Sequence, residues 1–137
     1  MDFKPLLDAP FLVQAHVATV VPAFFLAVGL IFLSRKGSRP HRMIGVLFFT
    51  LMVATAIITL FIHRRAPNNP FFGLSAIHLF VPLVLIATWR ALDGALKGKI
   101  KQHRAWVFGL FFGALVINGI NNVFFLPGIT RQMFFGP

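Results

Sequence analysis

Residues 10–34, from Pro10 to Ser34, read PFLVQAHVATVVPAFFLAVGLIFLS, a run without Asp, Glu, Lys or Arg. A helix needs about 20 mostly apolar residues to cross a hydrocarbon core of roughly 30 Å, and this run meets that measure. Three more stretches do the same, from Met43 to Ile62, Leu74 to Leu92 and Ala105 to Leu126. Short connections between long apolar helices favour antiparallel neighbours. The expected fold is therefore all-α, an integral membrane four-helix up-down bundle forming one domain over residues 1–137, with lipid as its solvent. The first span is too long for a removable leader and lacks the basic amino-terminal region and small-residue cleavage site of one, so it reads as permanent.

The chain is 58% hydrophobic and carries three acids, Asp2, Asp8 and Asp93, against thirteen Lys and Arg. A net charge of +10 raises nucleic acid as a partner. The basic residues, however, gather between apolar spans rather than along a polar helix face, so no nucleic acid is expected. Arg35, Lys36, Arg39 and Arg42 follow the first span, and Arg90, Lys97, Lys99, Lys101 and Arg104 surround the third connection. Lys4, Arg64, Arg65 and Arg131 fall on the opposite side. The positive-inside rule then places the first and third loops in the cytoplasm and both termini on the other face, N-out and C-out. The expected location is a bacterial inner membrane, crossed several times. Without cysteine, disulfides, thiolate ligands and iron–sulfur clusters are excluded.

An internal repeat runs beneath this pattern. His16 and His41 are 25 residues apart, as are His78 and His103, and a shift of 62 residues lays the first pair on the second and Arg42 on Arg104. Each His-Arg dipeptide also follows a Lys-Gly, Lys36-Gly37 and Lys97-Gly98, with an offset of one residue. The repeat units cover about residues 10–63 and 72–126. Each is a hairpin that enters from outside and returns, so the two halves are parallel repeats about an axis along the membrane normal. In such a bundle the first and third spans lie on one diagonal, the second and fourth on the other.

Five histidines are the main functional clue, because ionisable groups at membrane depth are costly and face a partner or a cavity. His16, His63 and His78 fall at the outer ends of their spans, and His41 and His103 at the inner starts of theirs, on the order of 25 Å away at the helical rise. Heme iron accepts two axial imidazoles, which diagonal helices can bring to one depth from opposite sides. His16 with His78 is the expected outer pair and His41 with His103 the inner. Arg42 and Arg104 stand ready for heme propionates. The function expected is transmembrane electron transfer on heme b, with a quinone or a redox protein as partner.

Other readings of the same residues remain open. A His-Arg dipeptide at a cytoplasmic helix start is also a snorkelling anchor against acidic lipid. His16, His63 and His78 would form a site for a Zn, Cu or Fe ion, with Asp8 as a further ligand, although no Asp or Glu lies within any of the four spans to couple transport. A non-catalytic accessory subunit, packed in a larger complex or a homo-oligomer, is a third class. Asn118, Asn121 and Asn122 on the fourth span and Gln14 on the first are expected to hydrogen-bond between helices, or to line a pocket for a quinone carbonyl. Gly109 and Gly113 are expected to let helices approach closely, Pro22 and Pro82 to kink their spans, and Trp89 and Trp106 to anchor at the interface. The chain shows no carboxylate pair, glycine-rich phosphate loop or serine nucleophile motif, so hydrolysis and phosphoryl transfer are not expected.

The segments Lys36-Gly37-Ser38-Arg39-Pro40-His41-Arg42, Pro70-Phe71-Phe72-Gly73-Leu74-Ser75-Ala76-Ile77-His78, His103-Arg104-Ala105-Trp106 and Leu126-Pro127-Gly128 resemble a bacterial family of small membrane proteins of unknown function. The resemblance covers about residues 10 to 131 and implies a four-helix membrane fold without an established activity. The architecture is also similar to that of four-helix diheme b cytochromes, an analogy of fold that does not carry function.

Overall fold

A computed structural model describes residues 3–62, 76–125 and 129–135. Among these residues every regular element is helical, and four helices are long and apolar enough to span a bilayer. The first span runs through Phe11–Val28 and continues as a wider π-type turn over Gly29–Leu33. The second is Arg39–Phe61 and the third Ala76–Leu96. The fourth starts at Ile100–Gly109, widens over Leu110–Ile117, and closes through Asn118–Ile120 and Asn121–Phe125. Two short helices, Lys4–Leu7 and Ile129–Phe135, pack on each other at the end of the bundle away from the basic turns, the end that the charge pattern marks as outer.

Three boundaries differ from the sequence reading, each for a local reason. The second span begins four residues before Met43, because the Ser38 side chain accepts the His41 backbone N–H and Pro40 fits the first turn. The third runs on past Leu92 to Leu96, where Lys97 pairs with Asp93 at 2.6 Å and Gly98 turns the chain. The fourth begins at Ile100 rather than Ala105, so its basic first turn is already helical. Both basic turns use the same device. Gly37 (φ +78°) and Gly98 (φ +68°), each after a lysine, adopt the left-handed conformation that a side chain disfavours.

Each span packs against the next in the chain, and the fourth returns against the first. This ring order leaves spans one and three on one diagonal, two and four on the other. Alanines make the crossings close: Ala23, Ala27, Ala56, Ala87 and Ala91 are buried in the seams. Phe48, Met52 and Leu110 fill the centre. Phe24 of the first span stacks on Phe111 of the fourth, with centroids 5.7 Å apart. The expectation for Gly109 and Gly113 is corrected, since a Cβ added at either meets nothing within 4 Å. Among the described residues the close glycine is Gly94, where an added Cβ would lie 2.8 Å from the backbone nitrogen of His103. Outward, the bundle presents Phe25, Leu33, Leu79, Leu83 and Ile86, an apolar exterior suited to acyl chains.

Candidate functional site

A polar network crosses the outer half of the bundle between the first two spans. Thr55 donates its hydroxyl to the Thr19 hydroxyl oxygen at 2.7 Å, and Thr19 donates back to the His16 carbonyl at 2.9 Å. Thr59 donates to the Thr55 carbonyl at 2.8 Å, and its oxygen lies 3.0 Å from His16 Nδ1. A hydroxyl has one proton to give. That proton goes either to the Thr55 carbonyl or to His16 Nδ1, so the ring tautomer of His16 sets the direction of the bond.

The inner histidines carry the same signature. Ser34 donates its hydroxyl to the Leu30 carbonyl at 2.9 Å, and its Oγ lies 2.8 Å from His41 Nδ1. His103 Nδ1–H donates to the Ala91 carbonyl at 2.9 Å. In both hairpins the histidine of the returning helix is thus fixed to the helix before it. All three rings are held through Nδ1; at His103, whose partner is a carbonyl, Nδ1 carries the proton and Nε2 the lone pair, the arrangement by which outer partners orient an imidazole ligand.

His78, on the third span, is buried at 7% exposure. One turn further along, Val81 lines a central cavity to which all four spans contribute, with His16, Thr55, Thr59 and Asn118 as its polar walls. The cavity measures about 50 Å³, room for a few waters, whereas pockets for larger organic ligands run to about 300–1,000 Å³. At the inner end, the His103 ring meets the edge of buried Phe49 with centroids 6.4 Å apart. Arg42 and Arg104 are exposed at the basic rim of the bundle, and Arg42 Nε donates to the Gly37 carbonyl at 3.2 Å.

Other sequence expectations resolve differently. Gln14 donates to the carbonyls of Leu7 and Ala9, so it fastens the amino-terminal helix and does not reach the fourth span. Lys36, read as a rim charge, caps the end of the first span by donating to the carbonyls of Leu30 and Ile31 at 2.7 and 2.6 Å. Trp106 packs against the core while Trp89 faces outward. Among the described residues no three His, Cys, Asp or Glu side chains come together as a metal site. His63, the third member of the expected ion site, lies outside the described residues, as do Arg64, Arg65 and the side chains of Asn122 and Arg131.

Residues 13–134 match a family model described as "Predicted membrane protein (DUF2306)". No curated protein and no solved structure matches the chain.

Proposed function

The chain belongs to that family of membrane proteins, and from this premise we propose that it is a b-type heme protein of the bacterial inner membrane that carries electrons across the bilayer. One observation carries the reading. Three histidines on three spans are each held through Nδ1, at Thr59, Ser34 and Ala91. An imidazole ligates iron through an unprotonated nitrogen, and a ring held through Nδ1–H, as the Ala91 carbonyl holds His103, offers Nε2. The residues present therefore fit the group in their donor chemistry. His16 and His78 would hold it at the outer level, His41 and His103 at the inner, on the two diagonals of the ring. Arg42 and Arg104 would pair with propionates at the cytoplasmic rim. Heme supplies reversible one-electron chemistry, and the protein's share is to ligate, orient and insulate.

The central cavity of about 50 Å³ sets a condition on the outer level, since a macrocycle there requires the first and third spans to stand farther apart. Partners consistent with such a role are a lipid-soluble quinone, a redox protein or a second copy of the chain. The test is the visible spectrum of protein purified in mild detergent from heme-replete cells, oxidised and then reduced with dithionite. A reduced α-band of b type is expected. A colourless preparation that also fails to take up added hemin would overturn the reading.

A further inference from the structure

The turn between the third and fourth spans is a fixed platform that carries unbalanced charge. Gly94 has no room for a side chain against the His103 backbone, so the first turn of the fourth span lies directly on the third. Gln102 Nε2 donates to the Arg90 carbonyl at 3.1 Å, and His103 Nδ1–H donates to the Ala91 carbonyl at 2.9 Å. Gly98, in the left-handed conformation, closes the connection between Lys97 and Lys99. Arg90, Lys97, Lys99, Lys101 and Arg104 surround this turn, and Asp93 is the one acid in the sequence after Asp8. Lys97 takes that carboxylate at 2.6 Å. Arg90, Lys99 and Lys101 are exposed, and among the described residues none of their side chains forms an ion pair or a hydrogen bond. The other basic turn spends its charge differently, with Lys36 donating to the carbonyls of Leu30 and Ile31 and Arg42 to that of Gly37.

Apolar side chains stand open beside these cations. Leu96 is 87% exposed and Ile100 57%, one on each side of the turn. Trp89, seven residues before Leu96 and on the same helix face, is 67% exposed. The partner must match both kinds of surface. A zwitterionic lipid covers the apolar side chains and leaves three cations without a counter-charge. Soluble acidic partners supply the charge but no chain to lie along Leu96 and Trp89. A lipid with a net negative phosphate headgroup supplies both, because lysine and arginine reach the headgroup level while their stems and the apolar neighbours stay at the acyl boundary.

We propose that this turn binds an acidic phospholipid, its phosphate met by Arg90, Lys99 and Lys101 and its acyl chains running over Leu96 and Trp89. The phosphate is met by none of the side chains proposed to hold heme, so the site stands whether or not heme binds.

The chain has two tryptophans, and Trp106→Phe leaves Trp89 as the single emitter. This full-length parent is reconstituted in vesicles of phosphatidylcholine and phosphatidylglycerol, one or the other carrying dibrominated acyl chains that quench Trp89 on contact. Quenching by each, normalised to unbrominated vesicles, gives the preference between the two lipids. A basic side chain near an anionic headgroup is worth about fivefold in affinity, so phosphatidylglycerol should be preferred at least about fivefold at low salt. In 1 M salt, where the screening length falls to about 3 Å, the preference should drop to about twofold or less. Lys99→Gln with Lys101→Gln should lower the low-salt preference to about twofold or less, whereas Arg35→Gln with Arg39→Gln, at the other turn, should leave it unchanged. Equal quenching by the two lipids in the parent, a preference that 1 M salt leaves intact, or equal loss in the two double variants overturns the site. A preference that soluble polyglutamate removes assigns the patch to an acidic protein segment and overturns it as well. The salt series is read on the parent alone, so the test holds even where a variant fails to fold.

Discussion

Thr59 on the second span holds His16 on the first, Nδ1 to Oγ1 at 3.0 Å, inside the outer half of the bundle. Hydrogen bonds between membrane helices average about 0.6 kcal/mol and reach about 1.7 kcal/mol. Thr59→Val should therefore destabilise the bundle by about 0.5–2 kcal/mol in denaturation by sodium dodecyl sulfate from mixed micelles. Thr50→Val is the control, because Thr50 is exposed and bonds only its own helix. Equal losses in the two variants would mean that the His16 contact contributes nothing to stability.

The glycines give a sharper contrast. Gly94→Ala drives a methyl against the backbone of His103, at 2.8 Å from its nitrogen and 3.2 Å from its Cα, and crowding of this kind typically costs about 1–3 kcal/mol. Gly109→Ala meets open space and should be neutral or up to about 1 kcal/mol stabilising. The same denaturation assay compares them. A Gly109→Ala loss as large as that of Gly94→Ala would show that the fourth span packs there on another molecule.

Orientation rests on charge, nine basic residues on one side against four on the other, and the absence of native cysteine makes it directly testable. Single cysteines from Ser38→Cys and Lys97→Cys should resist a membrane-impermeant maleimide in intact spheroplasts and react after lysis. Lys4→Cys should react before lysis. The reverse pattern would invert the topology and exchange the inner and outer histidine levels.

Much of the architecture was legible because a bilayer leaves few choices. A stretch such as residues 10–34 must satisfy its backbone within itself, so length and apolarity identify a helix. The Lys-Gly pairs, read as part of the repeat, fall in both turns, where Gly37 and Gly98 share the left-handed geometry. Side-chain facing was not legible, because nearly every neighbour of His16 or Gly109 is apolar and periodicity has nothing to contrast. The glycines therefore read as seam residues, while the seams are in fact made by Ala23, Ala27, Ala56, Ala87 and Ala91.

The threonines were missed for a related reason. Inside an apolar run, Thr19, Thr55 and Thr59 look like filler whose hydroxyls return to their own helices. The available signal was the i, i+4 spacing of Thr55 and Thr59, which puts both on one face.

The most direct test of the account is heme stoichiometry per chain, by pyridine hemochrome against protein mass, in hemin-reconstituted wild type, His78→Ala and His103→Ala. Two hemes in the wild type and one in each variant, with distinct midpoint potentials for the heme that remains, is the predicted result. Absence of heme from the wild type, or two hemes retained in both variants, would contradict the assignment of His16 with His78 and His41 with His103.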